Sequence, residues 1–373
     1  MNYSTVYVGM DVHKESFSLC CYTNEKEMAE FPQKVEAHYS KVLNYIEAMR
    51  FHYGRDAMFK CGYEAGCLGF TLYKQLMCHN VECVILAPTT MLQQRGRKRV
   101  KTDKRDAALI ARCLAHRDYS AVHIPTEQDE QVKDFIRMRA DFKLELKRLK
   151  QQILSFCLKK GYVYSTTTNN WTQSHLKWLK ELKPKGLDAE TLQEYLITYD
   201  YYTEKLTRLD KRIEELASDE TYVDDVKNLS CFMGIKSGTA LTILTEVGDF
   251  KRFATAEAFA SYIGLTPGED SSGGEKNYLG ITKAGNINVR CLLVEAAQSY
   301  CRGNIGFKSS GLKARQEGAS AKVIAYADRA NERLRRKYQR LTSGKNKNSN
   351  VAKVAIAREL ACFIWGMVTG AIE

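Results

Sequence analysis

Several patterns that would assign a class quickly are missing from this sequence of 373 residues. Its twelve cysteines are scattered, and no two have the Cys-x-x-Cys spacing of zinc sites and redox motifs. We interpret them as small buried residues in a reducing compartment. The one membrane-like run, Leu360 to Val368, is too short to cross a bilayer, so it is predicted to form a buried C-terminal helix.

The N-terminus lacks the pattern of a signal peptide, because the charged residues Asp11, Lys14 and Glu15 interrupt its first apolar run. We therefore expect a cytoplasmic protein.

Charge is the most informative bulk property. The net charge is +12, with a pI near 9.0, while apolar content (44%) and charged content (27%) are ordinary for a globular protein. An excess of cations favours an anionic partner, most commonly nucleic acid, although some basic proteins are merely soluble. The length allows two or three domains with substantial cores.

The first third of the chain alternates between strand and helix patterns. A leading hairpin followed by alternating strands and helices predicts a mixed sheet flanked by helices, with sites at the C-terminal ends of strands. The predicted strands are Thr5–Met10, Ser16–Tyr22, Lys26–Phe31, Ala57–Tyr63 and Val81–Ala87, and the predicted helices cover about 37–51, 68–77 and 104–114. Asp11 and Glu64 end two of these strands.

Two further acids, Asp103 and Asp106, lie three residues apart and would share one face of a helix. We hypothesise that Asp11, Glu64, Asp103 and Asp106 meet in a two-metal site for Mg²⁺, or Mn²⁺, that acts on phosphodiesters. Each acid also has a purely structural interpretation: Asp11 as a turn cap, Glu64 as the partner of a lysine, Asp103 as a helix N-cap. His13 is predicted to be structural or an outer partner of the site. The cations next to the acid pair, expected to contact nucleic acid, are Arg95, Arg97, Lys98, Arg99 and Lys101.

The rest of the chain is mainly helical by pattern. Long charged helices at 127–158 and about 192–216 are typical of a coiled coil. Residues 232–240 resemble the turn of a helix-hairpin-helix motif, in which free backbone N–H groups bind phosphate, or form an ordinary tight turn. Ser271 and Ser272 precede two glycines in a segment that could equally be a flexible turn. The cations expected to hold a phosphodiester here are Lys236, Lys276, Lys283 and Arg290.

Segments from both halves together resemble the insertion-sequence one-ten family of transposases. The acidic segments look like that family's DEDD motif, and the later segments look like its second, serine-bearing domain. The first group is Gly9-Met10-Asp11-Val12-His13-Lys14, Tyr63-Glu64-Ala65-Gly66 and Lys101-Thr102-Asp103-Lys104-Arg105-Asp106-Ala107; the second is Gly264-Leu265-Thr266-Pro267, Ser271-Ser272-Gly273-Gly274 and Ile281-Thr282-Lys283-Ala284-Gly285-Asn286.

The resemblance implies an α/β RuvC-like domain of RNase H fold at 1–125, a helical coiled-coil linker at 126–227, and a mainly α-helical C-terminal transposase domain at 228–373. It implies strand transfer on donor and target DNA by a nucleoid-associated homo-oligomer, guided by a structured noncoding bridge or seek RNA. It also implies catalytic roles for the four acids, and for a serine that forms a covalent phosphoserine. We favour Ser272, which directly precedes Gly273, over Ser271.

Three other functions fit parts of the sequence. A metal-dependent nuclease resembling a Holliday-junction resolvase would use water in place of serine. A sugar-kinase or actin-like ATPase also begins with strand, Asp and hairpin, but it needs an Asp-x-Gly-Gly phosphate loop that this sequence lacks. An architectural RNA- or DNA-binding protein would use the acids only structurally.

Overall fold

The computed structural model describes residues 5–66, 68–88, 91, 102–165, 169–269, 278–344 and 347–372. The chain divides into two compact units, Met1–Ile124 and Pro125–Glu373. The first contains a mixed sheet with helices, and the second is mostly helical. Residues 126–227 and 228–373, predicted as linker and C-terminal domain, both fall in the second unit, and their separation stays a prediction.

The first unit is built on a five-stranded sheet with the order β3-β2-β1-β4-β5. Its strands are β1 (Thr5–Val12), β2 (Ser16–Tyr22), β3 (Ala29–Glu36), β4 (Met58–Glu64) and β5 (Glu82–Leu86), and its helices are α1 (Tyr39–Tyr53), α2 (Thr71–Cys78) and α3 (Asp103–His116). β1, β2 and β3 are antiparallel neighbours, while β4 pairs in parallel with both β1 and β5. The predicted mixed sheet is confirmed.

One predicted strand was misplaced. The sequence analysis put the third strand at Lys26–Phe31, but β3 starts at Ala29 and continues to Glu36. The strand lies at the edge of the sheet, most of its side chains are exposed, and it contains Pro32, which an edge strand tolerates. A bulge near Phe31, whose φ is +51°, further disturbs the pattern. Alternating burial, the usual signal of a strand, is therefore absent.

The two faces of the sheet are covered differently. Val6, Val8 and Met10 of β1 pack with α1 and α2 in one apolar cluster. On the opposite face α3 packs on the sheet, where Ala107 and Ala111 join a smaller cluster with Cys20 and Tyr22 of β2. Successive residues of a strand alternate between faces, so Gly9 and Asp11 lie on the α3 face.

The second unit begins with a long pair of antiparallel helices. These are α4 (Glu127–Lys159) and α6 (Leu187–Ala217), with α5 (Gln173–Glu181) between them. Their antiparallel course is shown by the partners along their length. Arg139 Nε donates to Asp210 at 2.7 Å, and Lys160 Nζ lies 2.7 Å from Asp188.

The remaining helices form one large apolar core. The elements are α7 (Val223–Ser230), α8 (Ser237–Val247), α9 (Ala256–Tyr262), α10 (Ile287–Ala297), α11 (Ser310–Gln316), α12 (Ala321–Gln339) and α13 (Ser349–Thr369), with a short hairpin of β6 (Pro267–Glu269) and β7 (Tyr278–Ile281). The predicted C-terminal helix is confirmed, since Ile356, Leu360 and Ile364 of α13 are fully buried. Among the residues that the structure describes, no helix is long and apolar enough to cross a membrane.

Candidate active site

Asp11 lies near the C-terminal end of the central strand, in a row of side chains that crosses the sheet. It pairs with Ser18 on β2, and Ser18 pairs with Lys34 on β3. Residues paired across strands share a face of the sheet, so all three belong to the face on which α3 packs. The row places a carboxyl group and an ammonium group at the same edge of the first unit.

Two glycines let α3 approach this face closely. A Cβ on Gly9 would lie 2.8 Å from Ala111 Cβ and closer still to two backbone atoms of α3. A Cβ on Gly62, the partner of Gly9 on β4, would lie 2.8 Å from the side chain of Leu114. Ala107 and Ala111, in the middle of α3, lie against Gly9. His116, at the end of α3, contacts the hydroxyl of Tyr22, which pairs with Tyr7 nearer the start of β1, so the helix runs antiparallel to β1. Its first turn therefore points toward the edge that carries Asp11.

The first turn of α3 supplies two more acids. Thr102 is the N-cap, and its hydroxyl accepts a hydrogen bond from the backbone N–H of Arg105. Asp103 and Asp106 both lie in the first turn. The alternative in which Asp103 caps its own helix is wrong, because Thr102 occupies that position.

Asp11, His13 and Asp103 converge. His13 Nε2 lies 3.2 Å from Asp11 Oδ2 and 4.0 Å from Asp103 Oδ1. One ligand atom from each of the three residues lies within 4.8 Å of the others, a spacing at which one metal ion could be held. From β3, Lys34 Nζ donates to Asp103 Oδ2 at 3.2 Å.

The pKa values of the two acids in this group shift in opposite directions. Burial raises the pKa of Asp11, the charge of His13 lowers it, and the charges of Asp106 and Asp103 raise it. The pKa of Asp103 is lowered, chiefly by its hydrogen bond from Lys34. Like-charged carboxylates in a partly buried position disfavour one another's ionised form, and a cation between them relieves that repulsion.

The other two predicted acids are nearby but outside this close group. Asp106 is near enough for its charge to raise the pKa of Asp11. Glu64 ends β4, one residue beyond Tyr63, which pairs with Met10 just before Asp11. Glu64 thus ends the parallel strand beside β1, and its side chain is exposed. Of the four predicted acids, the structure brings Asp11 and Asp103 into one group of ligand atoms.

Sequence reasoning missed the contribution of Lys34. Lys34 was not considered because the misplaced strand put it beyond β3. Correct placement of the edge strand would have aligned Lys34 with Asp11 through Ser18. His13 was predicted to be structural or an outer partner of the site; it lies within hydrogen-bond distance of Asp11, and its role stays a prediction.

The donor set fits a divalent cation. Two carboxylates supply the oxygen ligands that Mg²⁺ and Mn²⁺ prefer, while the imidazole of His13 suits Mn²⁺ better as a direct ligand. The ammonium of Lys34 already provides one positive charge to Asp103. The site is therefore built to hold positive charge between elements that are distant in sequence.

In the second unit, several contacts join the two segments that flank the predicted serines in sequence. Arg290 Nη1 donates to the carbonyl oxygens of Ile263 and Ala284, both at 2.9 Å, and joins the segments that lead into β6 and out of β7. Gly285, with φ of +69°, lies against Tyr262 so closely that a Cβ would overlap its carbonyl oxygen. Ser271 and Ser272 fall between β6 and β7 in sequence and lie outside the described residues.

A buried carboxylate, Glu246, binds the segment that follows β7 to helices α4 and α8. Glu246 of α8 accepts hydrogen bonds from Arg137 Nε and Nη2 at 2.8 and 2.9 Å. It also accepts from the side-chain amides of Asn286 and Asn288, at 2.8 and 2.9 Å. Burial raises the pKa of Glu246, but these donors outweigh it and the pKa is lowered, so the carboxylate stays charged. Asn286, the N-cap of α10, is thereby tied to α4 and α8.

The predicted nucleic-acid contacts are only partly described. Lys236 is exposed at the N-cap of α8, after a turn that follows α7, and Lys283 is exposed with φ of +55°. Arg290 has the structural contacts given above, and its role toward nucleic acid stays a prediction. The other predicted contacts lie outside the described residues: Arg95, Arg97, Lys98, Arg99, Lys101 and Lys276.

Comparison with known proteins identifies the family of this chain. A family model described as "Transposase IS116/IS110/IS902 family" matches residues 226–313, and the DEDD model of IS110 transposases matches residues 8–162. The transposase for insertion sequence element IS1533 of Leptospira borgpetersenii is 34% identical over 92% of this chain and 98% of its own length. The transposase for insertion sequence element IS1328 of Yersinia enterocolitica is 30% identical over 46% of this chain and 43% of its own.

A more distant relative has a different name. The pilin gene-inverting protein of Moraxella lacunata is 24% identical over 72% of this chain and 74% of its own length. The similarity to the Leptospira protein extends over nearly the whole of both chains, and the two family models match both units. The chain therefore belongs to the IS110/IS116/IS902 family of insertion-sequence transposases and is a DNA transposase.

Proposed function

We propose that this transposase cuts and rejoins DNA strands at the ends of its insertion sequence, using a metal-binding acidic site and a serine nucleophile. The observation that carries the proposal is the convergence of Asp11 and Asp103, from a central strand and a later helix, on one group of ligand atoms. Asp106 and Glu64 would complete the metal-binding set. The order of the sheet, with three antiparallel strands preceding two parallel strands, supports an RNase H-like, RuvC-like fold.

The site would hold Mg²⁺, with Mn²⁺ as an alternative, and the proposal includes a second ion of the same kind. Bound there, such ions would supply positive charge that lowers the barrier to displacement at phosphorus. The chain's own residues do the positioning. α3 holds Asp103 against the sheet, and the ammonium of Lys34 donates a hydrogen bond to that carboxylate, a bond that a metal ion would have to replace.

The serine step would proceed by direct displacement. The hydroxyl oxygen of Ser272, or of Ser271, forms a bond to phosphorus while the bond from phosphorus to one sugar oxygen breaks. The hydroxyl proton ends on the leaving sugar oxygen. A phosphoserine conserves the energy of the phosphodiester, so a sugar hydroxyl can reverse the step without ATP. The name of the Moraxella relative supports this chemistry, since gene inversion requires every cut strand to be rejoined.

We further propose that a structured noncoding RNA of the element, a bridge or seek RNA, guides the enzyme to donor and target DNA, and that it acts as a homo-oligomer. The net charge of +12 supports binding of nucleic acid. The antiparallel pair α4 and α6 is long enough to serve as a coiled-coil module between subunits. Sequencing of the small RNA that co-purifies with the protein tests the guide: one discrete structured species supports it, and a random mixture argues against it.

Strand exchange between two marked DNA substrates tests the catalytic proposal. Asp103→Asn should abolish both cutting and exchange, while Asp118→Asn, which changes an exposed acid just beyond the other end of α3, should leave both intact. Ser272→Ala separates recombination from hydrolysis. Loss of exchange with retained metal-dependent cutting would mean that water is the nucleophile, as in a resolvase-like nuclease.

A further inference from the structure

Helix α12 has two faces of opposite character. Its apolar face, with Val323, Ala327, Ala330 and Leu334, is buried in the core of the second unit. Positions four, seven and eleven residues apart fall on one side of a helix, so these four form a stripe. A second stripe of the same spacing, continuing one residue past the helix end, consists of Arg329, Arg333, Arg336 and Arg340, all exposed.

The cationic stripe lines a groove of about 720 Å³. Lys337 also lines it, and the buried carboxylate of Glu359 on α13 forms part of its wall. Glu359 accepts hydrogen bonds from Arg333 and Lys337, and these two cations outweigh its burial, so that its pKa is lowered. One ionised carboxylate thus holds two cations in place and leaves them with a net positive charge.

The charges of the groove do not cancel. Five cations line it with three acids, Asp328, Glu332 and Glu359, and Asp328 also binds Lys308 from outside the lining. The pair between Arg336 and Glu332 is exposed, so it contributes little and a phosphate can replace it. The surface therefore complements a polyanion.

The length and chemistry of the stripe favour contact with the phosphate backbone of a nucleic acid over recognition of its base sequence. From Arg329 to Arg340 the stripe extends about 16 Å, which equals the rise of about five base pairs along the axis of a DNA duplex. The described polar residues that line the groove are all charged, so its hydrogen-bond donors are Arg and Lys side chains, which bind phosphate readily. Contacts to phosphate position a nucleic acid without reading its sequence.

We propose that the groove between α12 and α13 binds the phosphate backbone of duplex DNA without sequence preference. It would hold DNA by Arg329, Arg336 and Arg340, with Arg333 and Lys337 fixed at the wall by Glu359. The proposal depends on neither the acidic site nor the serine, so it stands or falls separately from them.

The test uses the purified full-length chain and a fluorescent duplex of arbitrary sequence. The triple variant Arg329→Gln, Arg336→Gln, Arg340→Gln changes three exposed side chains, and circular dichroism checks its fold. A control variant removes three exposed lysines near the far end of the α4 and α6 pair, Lys159→Gln, Lys177→Gln and Lys185→Gln. A second control, Arg329→Lys, Arg336→Lys, Arg340→Lys, keeps the charge.

The expected readout is the salt dependence of binding. The slope of log K against log salt should fall in magnitude by about 2.7 for the Gln triple, since each lost phosphate contact accounts for about 0.9. The variant with Lys in place of the three arginines should keep most of the slope. The fall in slope of the Gln triple should be equal for duplexes of unrelated sequence. If the slope fell equally in the control that replaces Lys159, Lys177 and Lys185, net charge alone would explain the effect, and the proposal would be overturned. Loss confined to a structured RNA, with duplex binding intact, would overturn the assignment to DNA.

Discussion

Replacing Gly9 by alanine should dislodge the helix that carries Asp103 and Asp106. The added Cβ would overlap backbone atoms of Ala107 and Ala111, which cannot rotate away as a side chain can. α3 would have to move off the sheet by about 1 Å to restore an allowed contact. Overpacking of this kind typically costs about 1–3 kcal/mol. We expect a value near the upper end, because the obstacle is backbone.

Gly62→Ala is the matched control. It adds the same methyl group to the neighbouring strand, at the paired position and under the same helix, but the atoms it meets are the ends of the Leu114 and Leu86 side chains. The ends of both side chains can shift without moving backbone, so the loss should be about 1 kcal/mol. The comparison isolates the effect of displacing the helix from that of adding a methyl group.

Hydrogen exchange followed by mass spectrometry on the full chain measures the effect locally. A loss of about 2–3 kcal/mol should speed exchange of α3 amides by about 30- to 150-fold in Gly9→Ala. Mn²⁺ binding should weaken in the same variant, because a metal tolerates only a few tenths of an ångström in ligand distance. Equal exchange and equal Mn²⁺ affinity in both glycine variants would refute the docking of α3 as the device that assembles the site.

Three further predictions address other parts of the chain. Lys34→Met should strengthen Mn²⁺ binding measured by calorimetry, because it removes a cation that competes for Asp103; unchanged affinity would show that the ammonium does not compete. Ser272→Ala should abolish a covalent protein–DNA adduct on denaturing gels, whereas an adduct lost only in Ser271→Ala would move the nucleophile by one residue. Glu246→Gln should lower the free energy of unfolding, measured with urea at pH 7, by about 1–3 kcal/mol. Because the pKa of Glu246 is lowered in the folded chain, this loss should persist above about pH 4.5 and vanish as the pH falls through the folded pKa. A loss that does not depend on pH would contradict the ionised network.

Local patterns predicted the acids well. Asp11 and Glu64 end apolar runs, and the ends of adjacent parallel strands meet at one edge, so the sequence alone could place them near each other. The spacing of Asp103 and Asp106 likewise placed both in the first turn of a helix. These inferences succeeded because each depends on periodicity within a few residues.

Long-range contacts escaped prediction. Lys34 lies on an exposed edge strand without alternation, so no local signal aligned it with Asp11. Arg137 and Glu246 are 109 residues apart, and only folding shows that one buried carboxylate joins α4, α8 and Asn286. For Arg290 the sequence suggested a phosphate contact, whereas the structure shows it bound to two carbonyl oxygens of its own chain.

The central claim is that Asp11 and Asp103 share one divalent cation. A crystal structure of the full-length chain in Mn²⁺, with anomalous scattering data, tests it most directly. We predict an anomalous peak with oxygens of both carboxylates at about 2.0–2.6 Å, and its absence in Asp103→Asn. A peak elsewhere, or none while the two carboxylates keep their present positions, would contradict the account.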